Sequence, residues 1–375
     1  MSNEMAVEQE IVKSGAEKRR RDARARWWRR CGSKRRGFWY EDAHGKRITD
    51  EDNLQRIKSL VIPPAWTEVR VAPSPRSSLQ AIGIDTSGRV QRIYHSTFVA
   101  KRQRYKFEKI ERFGEYLALL RRNTNEHITL EGLPRERVLA VIVRLINDLY
   151  FRVGSEESVK RYRTYGVTTL RNRHLEIKRD GRLIFSFVGK HHIPHRRLLV
   201  DEDLAMLMRD IKTVGGSRLF NYLDTDGRAR PVTPRDVNEY IKAATGPEFS
   251  AKDFRTWGGT LLAAIELAEL GRAENEKQAK RNIVRAVQKV ADRLGNTPTV
   301  CRGSYIHPLV IKRYIQGHTL DEFRPRKSRF IRRNQPEYEV EELALMRLLR
   351  AEVAKNNEKS GDRRRNSEVK SQETE

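Results

Sequence analysis

The sequence predicts an α+β protein of two unlike parts: a small β-rich N-terminal domain, then a larger, mainly helical domain with a small β-sheet embedded in it. Three observations predict this. Between Gly37 and Gln103, short apolar or alternating segments are cut repeatedly by turn residues. From about Lys101 onward, apolar residues recur instead at helical spacing. One strand–turn–strand pattern, between Arg173 and Val200, interrupts those helices.

In the first part, Phe38-Trp39-Tyr40, a His44-Gly45 turn and Arg47-Ile48 suggest a hairpin. Asn53–Leu60 reads as a short helix stopped by Pro63-Pro64. Ala81–Asp85, a Ser87-Gly88 turn and Val90–Tyr94 form a second hairpin. In the second part, Lys101–Arg122 is basic and amphipathic, with Phe107, Ile110, Phe113 and Leu117 on one face. Arg135–Tyr150 aligns Val138, Val141, Ile142, Leu145 and Leu149 in a core stripe. Arg173–Lys178, an Asp180-Gly181 turn, Arg182–Val188 and a strand from Ile193 to Val200 make the embedded sheet. Helices resume at Asp201, at Thr233-Pro234 (N-cap, then proline at N1), at Ser250, and over Asn275–Leu294, which Gly295 closes. A last helix is expected over Glu337–Ala354.

The ends differ from this. Residues 18–36, KRRRDARARWWRRCGSKRR, hold a single acid, Asp22, and the whole stretch 1–36 is expected to be a disordered basic arm. Trp27 and Trp28 could stack on or insert into a nucleic acid; a solubilising extension explains the segment almost as well. Residues 356–375 are expected to be a disordered tail.

Charge narrows the function. Of 375 residues, 76 are Lys or Arg and 50 are Asp or Glu, a net +26. That surplus points to a polyanion, nucleic acid before an anionic membrane surface. No apolar run approaches the ~20 residues of a membrane span, and Met1–Glu10 lacks the apolar core of a secretion signal. With Cys31 and Cys301 as its only cysteines, the chain has no disulfide scaffold and no cysteine-built zinc site, which fits a reducing cytoplasm. There is no G-x-x-x-x-G-K-[ST] loop, no G-x-G-x-x-G after a strand and no acidic cluster for two Mg²⁺ ions.

Chemistry on a phosphodiester must stabilise negative charge that grows in the transition state, and arginine's planar fork suits it. With so many arginines, context must choose. Arg152 follows the apolar helix ending at Tyr150, where Val153-Gly154 leaves the core, and Arg255 stands in Lys252-Asp-Phe-Arg-Thr-Trp-Gly-Gly259, a helix with apolar neighbours. On residue type alone, a helix-face arginine held by a carboxylate explains each better. Lys190, after the Gly189 turn, is presented on a hairpin tip, as a proton donor or as an ordinary loop lysine. His191, His192 and His195 invite a metal reading, but Pro194 breaks any helix and no acid lies in the run, so a basic loop is preferred. In Arg293-Leu-Gly-Asn296-Thr-Pro-Thr-Val-Cys-Arg-Gly-Ser-Tyr305, one helix ends at Gly295, Thr297-Pro298 starts another, and Tyr305 falls near its end. A phenol, with an ordinary pKa of about 10, needs nearby cations to attack at neutral pH. Taken alone, Tyr305 is better explained as a half-buried tyrosine with its hydroxyl in water.

Taken together and in order, these pieces resemble the type IB DNA topoisomerases, most closely the short bacterial, poxvirus-like branch. The resemblance runs from about Phe38 to Gln316. It is carried by Ile62-Pro-Pro-Ala-Trp66, Gln91–His95 and the basic helix after it, Phe151-Arg-Val-Gly154, Tyr165-Gly-Val-Thr-Thr-Leu-Arg-Asn-Arg-His174, Phe187-Val-Gly-Lys190, Lys252–Gly258, Leu294-Gly-Asn-Thr-Pro298 and Ser304-Tyr305. It implies the catalytic fold shared by tyrosine recombinases and type IB topoisomerases, in a clamp around DNA: a β-rich domain over 37–122 and a catalytic domain over 123–355. It implies that Tyr305 attacks a backbone phosphate to form a 3′-phosphotyrosyl link, that Arg152 and Arg255 clamp the non-bridging oxygens, and that Lys190 protonates the leaving 5′-oxygen. Many members of the wider superfamily carry histidine where this chain has Asn296, whose amide can donate a hydrogen bond to phosphate but no charge. The expected partner is double-stranded DNA, handled by a monomer in a cytoplasmic, nucleoid-associated setting, with no membrane, no ATP and no essential divalent metal. Two rivals stand beside this reading. A tyrosine recombinase usually has H-x-x-R where this chain has Lys252-Asp-Phe-Arg255, and it lacks the β-rich I-P-P-A-W domain. A non-enzymatic architectural DNA binder explains the charge but not the order of Arg152, Lys190, Arg255 and Tyr305.

Overall fold

The computed structural model describes residues 24–324 and 338–351. The expected tail and the first 23 residues of the expected arm lie outside the described residues. The chain divides into two compact units after Lys106. The division falls within one long helix, earlier than the expected boundary at 122.

The first unit is a five-stranded antiparallel sheet in the order β2-β1-β3-β4-β5. Its strands are β1 (Trp28–Ser33), β2 (Gly37–Glu41), β3 (Thr67–Val71), β4 (Leu79–Ile84) and β5 (Val90–Tyr94), and helix α1 (Glu51–Ser59) precedes β3. The β4–β5 hairpin and α1 fall where the sequence puts them. The other hairpin does not: Arg47 makes only an isolated bridge to Glu41, and the true partner of β2 is β1, paired from Arg29↔Glu41 to Ser33↔Gly37. The expectation of a disordered arm therefore fails over residues 24–36. Charge density hid a strand whose cations are held by the fold. Arg30 donates to the carbonyls of Pro63 (3.1 Å) and Trp66, while its guanidinium lies 4.2 Å from the Phe38 ring centroid. Trp28 packs against the small core of Ile57, Val69, Val71 and Ala81, beneath the Arg56 guanidinium at 5.1 Å. Arg56 in turn donates to Gln80 Oε1 (2.8 Å) and the Ala72 carbonyl (2.9 Å).

The second unit is mainly helical. α2 (Ser96–Ile128) runs on from the first unit, and α3 (Arg135–Leu149) is buried along nine positions, with Val138, Val141, Ile142, Leu145 and Leu149 among them. α4 (Glu156–Tyr162) follows, then the embedded antiparallel sheet of β6 (Leu175–Ile177), β7 (Arg182–Val188) and β8 (Pro194–Val200), in sequence order. Arg173, expected in the first of these strands, lies in a 3-10 turn over Asn172–His174. α5 (Glu202–Thr213), a short β9–β10 ribbon (Asn221–Leu223, Ala229–Pro231) and α6 (Pro234–Thr245) lead to α7 (Ala251–Glu269), α8 (Glu276–Leu294), α9 (Pro298–Ser304) and α10 (Pro308–Ile315). The expected caps hold. Asp201, Thr233, Asn275 and Thr297 each accept a backbone N–H at a helix start, and Gly295 closes α8 in the left-handed region at φ 62°. A final helix, α11, covers 340–351. Among the described residues no helix is long and apolar enough to cross a membrane.

Candidate functional site

The site is built around the C-terminus of α8. A helix end exposes carbonyls with no intrahelical partner and carries partial negative charge. Here guanidinium groups take four successive carbonyls. Arg197 Nη2 donates to Asp292 O (3.2 Å) and Arg293 O (2.6 Å), Arg255 Nη2 to Leu294 O (2.8 Å), and Arg152 Nη2 to Gly295 O (3.2 Å). Three elements deliver them: α7 carries Arg255, β8 carries Arg197, and the segment that leaves α3 carries Arg152. That segment is held by backbone bonds from Val167 N to Arg152 O (2.8 Å) and from Thr168 N to Val153 O (2.9 Å), which put the two sequence motifs 151–154 and 165–174 side by side.

Arg255 is 4% exposed. Its Nη1 donates to the Tyr150 carbonyl at 2.5 Å, and its Nε–H is buried without a partner. Arg152 Nη2 also donates to Asn296 Oδ1 at 2.5 Å. A guanidinium offers only donors, so the Asn296 carbonyl oxygen must face it. The Asn296 Nδ2 amide is left buried and without a partner. Burial, then the charge of Arg255, pulls Arg152 down to about 10. Burial lowers Arg255 as well, and the Tyr305 phenol opposes that shift. These cations are held at a cost that an anion would relieve.

Tyr305 is half-buried at the C-cap of α9, with its ring centroid 5.0 Å from the Arg255 guanidinium carbon. A glycine lets it sit there: a Cβ on Gly259 would fall 2.7 Å from Tyr305 O, while the neighbouring Gly258 makes room for the Tyr150 ring, which a Cβ would meet at 2.0 Å. The Thr260 hydroxyl, shared between the Thr256 carbonyl (2.7 Å) and the Tyr305 carbonyl (3.2 Å), also accepts from His307 N (3.1 Å), which holds the chain just after the phenol.

Lys190 is exposed on the 3-10 turn between β7 and β8, and with Arg152, Arg255 and His195 it lines a narrow cleft. The structure thus brings Arg152, Arg255, Asn296 and Tyr305 into direct contacts and puts Lys190 on the rim of the same cleft. Sequence reasoning missed two neighbours. Arg197 and His195 alternate along β8 and both point inward. That period of two was the available signal, and the basic run Arg196-Arg197 hid it. The structure also splits the histidine run: His195 is buried, while His191 and His192 are exposed on the turn. Among the described residues no three His, Cys, Asp or Glu side chains gather as a metal would require.

Comparison with known proteins follows the same division of the chain. Residues 95–324 match the family model described as eukaryotic DNA topoisomerase I, catalytic core. Residues 37–85 match the bacterial DNA topoisomerase IB, N-terminal domain. DNA topoisomerase 1B of Acanthamoeba polyphaga mimivirus is 31% identical over 288 residues, 74% of this chain and 84% of that protein. DNA topoisomerase 1B of Vaccinia virus (strain Copenhagen) is 24% identical over 308 residues, 76% of this chain and 92% of that protein. A crystal structure of the XerH site-specific recombinase bound to its difH substrate aligns over 52% of this chain at 17% identity and a TM-score of 0.33, a likeness too slight to bear on function.

Proposed function

Because the chain belongs to the type IB DNA topoisomerases, we propose that its strand cleavage and religation are carried by Tyr305, Arg152, Arg255, Lys190 and Asn296. Enzymes of this family relax supercoiled duplex DNA by cutting one strand, letting it rotate and resealing it. In this reading the Tyr305 oxygen attacks a backbone phosphorus. The phenol gives up its proton to water as the Oη–P bond forms, the P–O5′ bond breaks, and the leaving 5′-oxygen takes its proton from Lys190. After rotation the 5′-hydroxyl attacks the phosphotyrosine, the new P–O5′ bond forms, the hydroxyl proton returns toward Lys190, and the Tyr305 oxygen leaves as a phenolate that takes a proton from water. One ester replaces another at each step, so the bond energy is conserved and no ATP is called for.

Arg152 and Arg255 hold the non-bridging oxygens, whose charge rises as the fifth bond forms. Asn296 adds a neutral donor through Nδ2. The observation that carries this assignment is the pair of buried, unpartnered donors, Arg255 Nε–H and Asn296 Nδ2, beside clustered cations that take no carboxylate among the described residues. Buried donors left open are rare, and an incoming phosphate oxygen is the acceptor they lack. The protein works on double-stranded DNA, as a monomer associated with the nucleoid and without an essential divalent metal. Plasmid relaxation in EDTA without ATP tests the activity and the metal together. Tyr305→Phe should abolish relaxation and leave DNA retardation almost unchanged, since it removes one hydroxyl and no charge. Relaxation by the Phe variant near the parent rate would remove Tyr305 as nucleophile, and a parent enzyme silent in EDTA would show that a metal is required.

A further inference from the structure

We propose that His195 is a positioning residue for Lys190: its imidazole, seated between Gly189 and Gly295, sets the distance between the turn that presents Lys190 and the loop that carries Asn296. This rests on the reading of Lys190 as the proton donor to the 5′-oxygen.

His195 is the cross-strand partner of Phe187, and the two rings stack at 5.1 Å with 22° between their planes. That stack fixes the plane of the imidazole. Its edges then meet backbone on two sides. A Cβ on Gly189 would lie 2.5 Å from Cδ2 and 2.5 Å from Nε2 of the ring. A Cβ on Gly295 would lie 2.5 Å from Cε1 and 3.1 Å from Nε2. Real side chains do not approach so closely, so the imidazole occupies space that exists only because both positions are glycine. Each glycine stands one residue before a member of the site, Lys190 or Asn296. The ring is thus a spacer between two pieces of backbone that must be held in register for the chemistry.

The charge state suits the task. Burial, then Arg197, Arg152 and Arg255, push His195 down to about 4. Near neutral pH the ring is uncharged and adds bulk without adding a further cation to the cluster. A carboxylate at this position would bind the arginines and compete with phosphate; a lysine or arginine would repel them. A flat, neutral ring does neither.

The test separates leaving-group chemistry from phosphate binding. Single-turnover cleavage is measured on a duplex with an ordinary 5′-oxygen and on one with a bridging 5′-sulfur, which leaves without protonation. His195→Ala should cleave the oxygen substrate about ten- to a hundredfold more slowly, the scale on which about an ångström of misplacement acts, and the sulfur substrate within about threefold of the parent. Gly189→Ala, whose Cβ pushes the ring from the other side, should give the same pattern and serves if His195→Ala does not fold. Lys190→Ala should be slower still on oxygen and rescued by sulfur, and Arg255→Ala should stay slow on both. If Lys190→Ala is rescued and the His195 and Gly189 variants are not, or if they cleave the oxygen substrate at the parent rate, the positioning role is overturned. If Lys190→Ala is itself unrescued, the proton-donor reading falls and this role falls with it.

Discussion

Arg255→Ala is the substitution whose cost can be built up most directly from the structure. The wild-type guanidinium has five N–H donors. Two are spent on carbonyls, Tyr150 O and Leu294 O, and the buried Nε–H is spent on nothing. The remaining face of the fork is what a phosphate can use. Removing one donor aimed at developing charge costs about 3–4 kcal/mol, or 10²–10³ in rate. A fork that reaches phosphate through two donors should cost at least about a thousandfold. Folding is affected in two opposed ways. Two buried carbonyls lose their donor, at about 1–3 kcal/mol each, while a cation that burial has destabilised is removed. Melting should therefore fall by only a few degrees, so the loss of rate cannot be a loss of fold. Single-turnover cleavage of a saturating short duplex, read as covalent protein–DNA adduct on a denaturing gel, isolates the step from binding. Arg255→Lys keeps the charge but not the fork and should recover no more than about tenfold of the loss. Cleavage by Arg255→Ala within tenfold of the parent would refute the clamp. Full recovery by Arg255→Lys would show that charge alone, and not the forked geometry, is what the site needs.

Two further outcomes follow from particular contacts. Asn296→Ala should lower cleavage by about tenfold, the loss of one neutral hydrogen bond of about 1 kcal/mol or slightly more, whereas Asn296→Asp should be worse, because a carboxylate 2.5 Å from Arg152 Nη2 would hold that guanidinium in an ion pair and repel phosphate; an Asp variant as active as the Ala variant would show that Arg152 does not depend on this neighbour. Starting the chain at Arg24 removes Lys18, Arg19, Arg20 and Arg21, and each of these that lies on a phosphate should take about 0.9 from the slope of log affinity against log salt, with cleavage of a saturating duplex unchanged; starting it at Gly37 also removes β1 and Arg30, and should unfold the N-terminal sheet, which the loss of far-ultraviolet β signal or protease resistance in that unit would report, and which an intact sheet would contradict.

What the sequence made legible is what depends on local pattern. α3 and α8 come from apolar stripes, the starts of α5, α6 and α8 from single capping residues, and the β7–β8 turn from Gly189. The candidate residues were legible only jointly. Arg152, Lys190, Arg255, Asn296 and Tyr305 are each ordinary by type and context, and their order along the chain carried the reading. What stayed hidden depends on long-range pairing. β1 lies in a run of cations, and nothing local shows that Arg30 will be used by the 62–66 loop, more than thirty residues on. β3 carries a register shift and a residue, Glu68, at positive φ, so its short alternation is broken where a pattern would be sought. His195 and Arg197 belong to the site only because β8 faces α8, a fact of tertiary packing.

The arrangement around α8 also explains how several arginines can wait in one place before DNA arrives. Burial first, and then repulsion between like charges, lowers Arg152 and Arg197. A carboxylate would relieve the repulsion, but it would be a full anion already in the phosphate's place, and DNA would have to displace it. The four carbonyls from Asp292 to Gly295 provide a weaker counterweight: oriented dipoles at a helix C-terminus, fixed by the backbone and unable to follow the arginines. They position Arg152, Arg197 and Arg255 without neutralising them. Arg255 and Arg152 each hold the fringe through one nitrogen or two and keep the rest of the fork for another acceptor. On the proposed assignment, phosphate would meet donors whose geometry is set in advance, and little of the interaction would be lost to reorganisation. On this argument a change that frays the last turn of α8, such as Gly295→Ala at a left-handed position packed on His195, should slow cleavage far more than it weakens DNA binding, even though Gly295 offers the substrate no side chain.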